Sequence, residues 1–362
     1  MLGAPEESVA EIAVPAAAIA PVDRRAVPLL HGIEGLRLIA SVGVASIHML
    51  AHAGIKMPVD FTLFVDLFFV ISGIVIGNLY IDRIHSWGQY GQFVRRRLAR
   101  IYPLHLATLV FYVAVGALLT MRGIEMKRFD PSQFLPNLLL VQAWFPDGHR
   151  SYNIVSWSIS AEFFLYLCFP IIAALVSDVW GLAAIAVMLL FGIAFSDLDF
   201  HKPLYLLTYT AAPLRALPSF ALGVFLARFA PSVAGRFKPA AVRNACLILL
   251  TLTLLCMAAD VNGYEVLALI YALVAAAYVG DLKGLRTVMA WRPISRYGYL
   301  TYSIYMLHVP VTTVFLAYLL PRLFGISHAA LIFEAVVAAA IVAVLAQLSF
   351  RYFEDPVRRL LR

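Results

Sequence analysis

Long apolar runs separated by short polar segments dominate the pattern along this chain. A bilayer span needs about 17 to 25 mostly apolar residues. Ten runs meet this length, near 34–54, 61–80, 101–120, 158–176, 179–195, 205–227, 243–259, 264–280, 297–319 and 327–349. The pattern predicts an all-α integral membrane protein, a polytopic bundle of about ten transmembrane helices.

One further apolar stretch, 134–145, is short and lies among prolines at 131, 136 and 146. Lys and Arg accumulate in short cytoplasmic loops. If 134–145 does not cross, most basic residues fall on one side of the membrane; if it crosses, the later basic loops move to the other side. We therefore predict a re-entrant or interfacial segment there, with both termini cytoplasmic.

Composition supports a membrane protein: 62% of the residues are hydrophobic and 14% are charged, against about 25% charged in soluble domains. The net charge of +7 follows from the basic loops, so we expect the lipid bilayer as a partner and no nucleic acid. Three regions are predicted: a disordered cytoplasmic tail over 1–33, a membrane domain over 34–350, and a basic cytoplasmic C-terminal tail over 351–362.

The first span carries a polar stripe. Arg37 and His48 are eleven residues apart, about three helical turns, so they share a face roughly 16 Å apart along the axis. Ionisable groups in a span face protein or a wet cavity and are functional candidates. His52 joins this face, but no third metal ligand follows at a recognisable spacing, so we expect no metal.

Asp66 in the second span falls on the same helical face as Gly73 and Gly77. Small residues four apart allow two helices to pack closely, so Asp66 should face a neighbouring helix. Two interpretations are equally good at this point: Asp66 orients or charges His48, or it makes a helix–helix hydrogen bond.

Two further groups carry charge near the spans. Arg97 and Arg100 share a helical face within a basic cluster; the cluster either sets topology or binds a phosphorylated cytosolic ligand through bidentate contacts. Glu162 lies in the fourth span, on one face with Ser158 and Tyr166. His308 is a lone membrane histidine beside tyrosines. Such a histidine more often makes a packing hydrogen bond than it acts as a catalyst.

Taken in order, these motifs resemble the membrane acyltransferase-3 family, bacterial integral-membrane O-acyltransferases that act on surface polysaccharides and related acceptors. The matching residues are Arg37 and His48, Phe68–Gly73, Arg97, Arg100 and Pro103, Trp157–Ile159 with Glu162, Tyr302, Ser303, Tyr305 and His308, and Arg351–Pro356. Ile74 stands where the family commonly has Phe, and His105 where it more often has an aromatic residue.

The resemblance implies acyl-CoA, with acetyl-CoA first, as a co-substrate and no tightly bound cofactor. Phosphates of the donor would meet Arg97, Arg100 and Arg37, with Ser72 also on the donor side. His48 would act as general base on an acceptor hydroxyl, with Glu162 or Asp66 holding its tautomer; a covalent acyl-histidine relay stays open.

The expected acceptor is a saccharide or glycolipid, transfer is expected to cross the bacterial inner membrane, and polysaccharide-assembly proteins are possible partners. The main alternative is a proton-coupled transporter of a glycan or small molecule, because intramembrane His, Asp, Glu and Arg also form ion relays. A non-enzymatic subunit of an export complex is the third interpretation. The chain shows no internal repeat of the kind that duplicated transporter halves have.

Overall fold

The computed structural model describes residues 30–52, 55–124, 127–314 and 328–361. Within these ranges the chain is helical and contains no strand. The helices are α1 (His31–His52), α2 (Phe64–Tyr80), α3 (Trp87–Met121), α4 (Phe134–Leu138), α5 (Trp157–Leu175), α6 (Gly181–Phe200), α7 (Ala212–Val233), α8 (Pro239–Ala258), α9 (Gly263–Leu282), α10 (Arg292–Ser295), α11 (Thr301–Val311), α12 (His328–Ser349) and α13 (Asp355–Leu360).

Nine helices in the described part of the chain are long and apolar enough to cross a membrane. They confirm the all-α polytopic fold. In the ninth predicted span, 297–319, the α-helix described is the eleven-residue α11, and the residues from 315 onward lie outside the described ranges. The described spans therefore number one fewer than the ten that hydropathy predicts.

The segment 134–145 does not form a spanning helix. α4 has five residues and is followed by turns. Buried Asn137 holds it in place: its side-chain nitrogen donates to Gln133 O and to Ser151 Oγ, each at 2.8 Å, and its carbonyl lies 2.8 Å from His105 Nε2. The segment packs against the middle of α3, where Tyr102 and His105 bond to its backbone carbonyls, in line with the prediction that it does not cross.

Helices α2 and α7 cross in close backbone contact. A Cβ atom on Gly73 would overlap Phe220 O, and one on Gly223 would overlap Val70 O. Glycine at both positions lets the two backbones touch, as small-residue motifs do in membranes. The face of α2 predicted to meet a neighbouring helix thus meets α7.

Two predicted boundaries need correction. α1 begins at His31, so it takes up 31–33 of the predicted N-terminal tail, because two of its first amides are bonded to Asp281; residues 1–29 lie outside the described ranges. At the other end, Phe350–Glu354 forms a π-helix. Glu354 accepts hydrogen bonds from Ser303 Oγ at 2.6 Å and Ser349 Oγ at 2.7 Å, so this segment is docked against α11 and is not a free tail.

Candidate functional site

A cavity of about 630 Å³ lies between α1, α2, α3, α5, α11 and the C-terminal helices, and residues from Val65 to Leu79 of α2 line it. This volume is in the range of small-molecule sites. Apolar side chains of α2, such as Phe68 and Val75, form one wall, and tyrosines of α5 and α11 line it further along. The cavity therefore combines an apolar wall with a polar rim.

Five arginines and two glutamates line the cavity among the described residues, so its charge is positive. The arginines come from distant parts of the chain: Arg37, Arg97, Arg100, Arg296 and Arg358. Arg100 is close enough to Arg37 and Arg97 for their charges to act on it. Crowded like charges are unfavourable, and an anionic ligand would relieve this repulsion.

Neighbouring residues hold Arg37, Arg97 and Arg358, the last through an ion pair with Asp355. Arg37 Nη1 lies 3.0 Å from Glu34 Oε1, one turn earlier on α1. Arg97 donates to Tyr80 Oη at 3.2 Å, its guanidinium lies 5.1 Å from the centre of that ring, and its buried Nε has no partner. A guanidinium with donors left over is suited to bind phosphate oxygens.

Glu162 is one of the two glutamates that line the cavity. One of its oxygens accepts hydrogen bonds from Ser72 Oγ and from Tyr166 Oη, both at 2.6 Å. These short distances are typical of hydrogen bonds to an ionised acceptor. Ser72, Glu162 and Tyr166 all line the cavity, so the predicted donor-side Ser72 and the predicted catalytic Glu162 lie in one place with Arg97 and Arg100.

His48 lies elsewhere. It is not among the described residues that line the cavity, and its ring packs against that of His308, with centroids 5.1 Å apart. His308 in turn contacts Tyr305 edge-on at 5.9 Å, and Tyr305 does line the cavity. Exposed Arg150 and Asp60, on loops, are close enough for their charges to act on His48. The predicted base thus lies outside the lining of the arginine cavity, two ring contacts from Tyr305.

The structure does not bring Asp66 or Glu162 to His48. Nδ1 of His48 lies 2.8 Å from the carbonyl oxygen of Val44. A backbone carbonyl one turn earlier therefore occupies the place expected for a carboxylate. With a proton on Nδ1, Nε2 is the basic nitrogen.

Asp66 is bonded to α7. Arg215 Nη2 lies 2.6 Å from Asp66 Oδ2, Arg215 Nε lies 3.2 Å from both carboxylate oxygens, and both side chains are almost fully buried. The Arg215 guanidinium also lies 5.1 Å from the centre of the Trp157 ring. Of the two interpretations of Asp66, the helix–helix contact is the one the structure contains.

Several cavity residues were not predicted. Glu34 had a signal in its spacing, three residues before Arg37 on a helix. For Arg296 and Arg358, the only signal in the sequence was their positive charge, and the preference of basic residues for cytoplasmic loops already accounted for it. No group of three or more His, Cys, Asp or Glu side chains in the described residues could hold a metal; the side chain of His52 lies outside them.

Residues 30–348 match the acyltransferase-3 family, whose description is an acyltransferase domain. The chain is 28% identical over 314 residues to acyltransferase MdmB of Streptomyces mycarofaciens, covering 78% of this chain and 79% of that protein. It is 24% identical to peptidoglycan O-acetyltransferase OatA of Listeria monocytogenes and 23% identical to O-acetyltransferase OatA of Staphylococcus aureus, over 90% and 91% of this chain. It spans 55% and 57% of the length of those two proteins. No solved structure matches.

Proposed function

Because this chain belongs to the acyltransferase-3 family and is an O-acyltransferase, we propose that it moves an acyl group, acetyl in the first instance, from cytosolic acyl-CoA to a hydroxyl of a saccharide or glycolipid acceptor. The observation that carries the donor assignment is the cavity lined by Arg37, Arg97 and Arg100. Coenzyme A presents phosphates on a flexible arm, and arginine forks bind phosphate oxygens in bidentate pairs.

The donor side is assigned to the cytoplasm of a bacterial inner membrane, with both termini on that side. Support comes from charge: the basic loops that favour the cytoplasmic side lie at the same end as Arg97, Arg100 and Arg358, which line the cavity. The C-terminal π-helix and α13 border it there too. The anionic part of the donor would thus enter from the basic end of the bundle.

His48 is proposed as the general base for the acceptor hydroxyl. Support comes from its Nδ1, which lies 2.8 Å from Val44 O, because this contact leaves Nε2 to take the proton. His48 lies beyond the donor cavity, behind Tyr305 and His308. The thioester would therefore extend past Tyr305 as the acceptor approaches from the opposite side of the membrane, and transfer would take place across it.

In the reaction, the acceptor oxygen attacks the thioester carbonyl while His48 takes its proton. The carbon–sulfur bond then breaks, and the proton passes to the coenzyme A thiolate. Arg37, on the same helix as His48, would hold the donor. Glu162 is assigned to the donor side, where its hydrogen bonds with Ser72 and Tyr166 link α2 and α5 in the cavity lining.

Release of free thiol from acetyl-CoA by membranes containing the protein tests this function. Wild-type protein should release thiol in step with acylation of an added or endogenous glycan acceptor, and His48→Ala protein should not. His85→Ala is the matched control, since His85 is exposed outside the cavity. Wild-type membranes that release no thiol above membranes lacking the protein would refute the proposal.

A further inference from the structure

The N-terminus of α1 is held by a carboxylate from a distant part of the chain. Gly32 N donates to Asp281 Oδ1 at 2.7 Å, and Ile33 N donates to Asp281 Oδ2 at 3.0 Å. The first amides of a helix have no partner inside the helix, and a negative charge complements the positive end of the helix dipole. Asp281 therefore caps α1 from α9.

Asp281 is badly placed for its own helix. α9 ends at Leu282, so Asp281 is in its last turn, where the helix dipole disfavours a carboxylate. The side chain is also buried, with 8% of the residue exposed. Burying a charge is costly unless it is hydrogen-bonded, and the two amides of α1 compensate for that cost.

Close packing around the start of α1 restricts where this helix can lie. A Cβ on Gly35 would overlap Met289 O, and a Cβ on Gly298 would overlap the Glu34 side chain. A Cβ on Gly32 would lie 3.0 Å from Asp281 Oδ1. The segment after α9 thus touches the first two turns of α1, directly before Arg37.

We propose that Asp281 is a positioning residue for the donor site. By fixing where α1 begins, it sets the depth and rotation at which the Glu34–Arg37 pair enters the cavity. Arg37 follows Ile33 by four residues, about one turn, so a shift at the cap moves the guanidinium directly. This inference rests on the proposed function, in which the cavity binds acyl-CoA.

The test uses Asp281→Ala and Asp281→Asn, with Asn262→Ala as matched control. Asn262 caps α9 at its other end, accepting from Tyr264 N at 2.9 Å, so its loss is chemically similar but far along α9 from Asp281. Asp281→Ala should weaken coenzyme A binding about fivefold, the scale of a lost helix cap, and raise the KM for acyl-CoA with kcat nearly unchanged. Asp281→Asn keeps one acceptor, so its coenzyme A affinity should lie between those of Asp281→Ala and wild type. Asn262→Ala should bind coenzyme A like wild type.

A double-mutant cycle shows whether Asp281 acts through Arg37. In an Arg37→Gln background, Asp281→Ala should cause little further rise in KM, because the group it positions has been removed. Additive effects of the two changes would overturn the proposal. So would an equal loss of coenzyme A binding in Asn262→Ala, since a general loss of stability would then explain the result.

Hydrogen exchange keeps this inference separate from the proposed function. In Asp281→Ala, amides in the first turn of α1 should exchange faster while those of α2 and α7 keep wild-type rates. Unchanged exchange over that turn would overturn the positioning role even if acyl-CoA is the donor. If exchange changes as expected but wild-type protein binds no coenzyme A, the donor assignment fails, and with it the claim that Asp281 serves a donor site.

Discussion

His48 on α1 and His308 on α11 pack ring against ring, with centroids 5.1 Å apart and planes tilted by 49°. His308 is fully buried, and its Nε2 has no hydrogen-bond partner. Arg37, on the same helix as His48, lines the arginine cavity. One helix therefore connects the charged cavity with a histidine pair beyond the cavity wall, and the two ends can be tested separately.

The histidine end is tested by His48→Ala. Acyl transfer should fall about 100-fold or more, the scale of a general base, whereas coenzyme A should bind as in wild type because His48 does not line the cavity. Steady-state transfer and calorimetric titration with coenzyme A measure the two quantities. An equal loss of binding would place His48 in the donor site instead.

The arginine end is tested by replacing Arg97 and Arg100 with Gln. Charge-assisted hydrogen bonds contribute about 1.5 to 3 kcal/mol each, so each change should weaken coenzyme A binding about tenfold or more. Arg96→Gln is the matched control: Arg96 belongs to the same basic cluster but does not line the cavity. If all three variants lose the same affinity, the cluster acts through net charge alone.

Glu162→Gln should reduce transfer through the donor side. The change replaces the carboxylate that accepts from Ser72 Oγ and Tyr166 Oη with a neutral amide, so both hydrogen bonds should weaken. We expect a higher KM for acyl-CoA, with a smaller effect in Ser72→Ala, which leaves the Tyr166 bond intact. A wild-type KM combined with a large fall in kcat would instead give Glu162 a part in the chemical step.

The buried Asp66–Arg215 pair should be a stability element. Removing one partner of a buried pair leaves an uncompensated charge and costs about 3 to 5 kcal/mol. Asp66→Ala and Arg215→Ala should each lower Tm in detergent, and the double variant should be destabilised by less than the sum. An Asp66→Ala protein with wild-type Tm and no transfer would restore Asp66 to the catalytic group.

The α2–α7 crossing gives a prediction about packing. Gly73→Ala should destabilise the protein by about 1 to 3 kcal/mol, the usual cost of overpacking, since its Cβ would overlap Phe220 O. Gly91→Ala on α3 is the matched control, because nothing lies within 4 Å of a Cβ there. Thermal unfolding of both variants measures the difference. Equal Tm values would mean that the α2–α7 contact accepts the added methyl group without loss of stability.

Periodicity and hydropathy were enough for the fold because lipid allows few alternatives. Helices satisfy their own backbone groups in a bilayer, so apolar length alone predicts the spans. The placement of 134–145 outside the membrane-spanning set needed a second rule, the accumulation of basic residues in cytoplasmic loops, because its length and prolines left the question open. Local spacing also predicted that Asp66 and Gly73 share a face that meets a neighbouring helix, and the structure shows this helix to be α7.

Contacts between residues far apart in the chain could not be predicted from the sequence. Arg215 is 149 residues from Asp66, and Asp281 is 249 residues from Gly32; no periodicity joins such pairs. Arg37 and His48 do share a helix, but spacing could not show that only Arg37 lines the cavity, because that depends on the side chains of α11. Tyr305 and His308 stand between the cavity and His48.

Sidedness of the reaction tests the central claim most directly. Sealed vesicles of both orientations would receive labelled acetyl-CoA on the outside only, and labelled glycan would then be measured in the lumen and outside. Inverted vesicles, with the cytoplasmic face outward, should transfer label to lumenal acceptor, and His48→Ala vesicles should not. Transfer by right-side-out vesicles, or label confined to the face that received acetyl-CoA, would contradict the account.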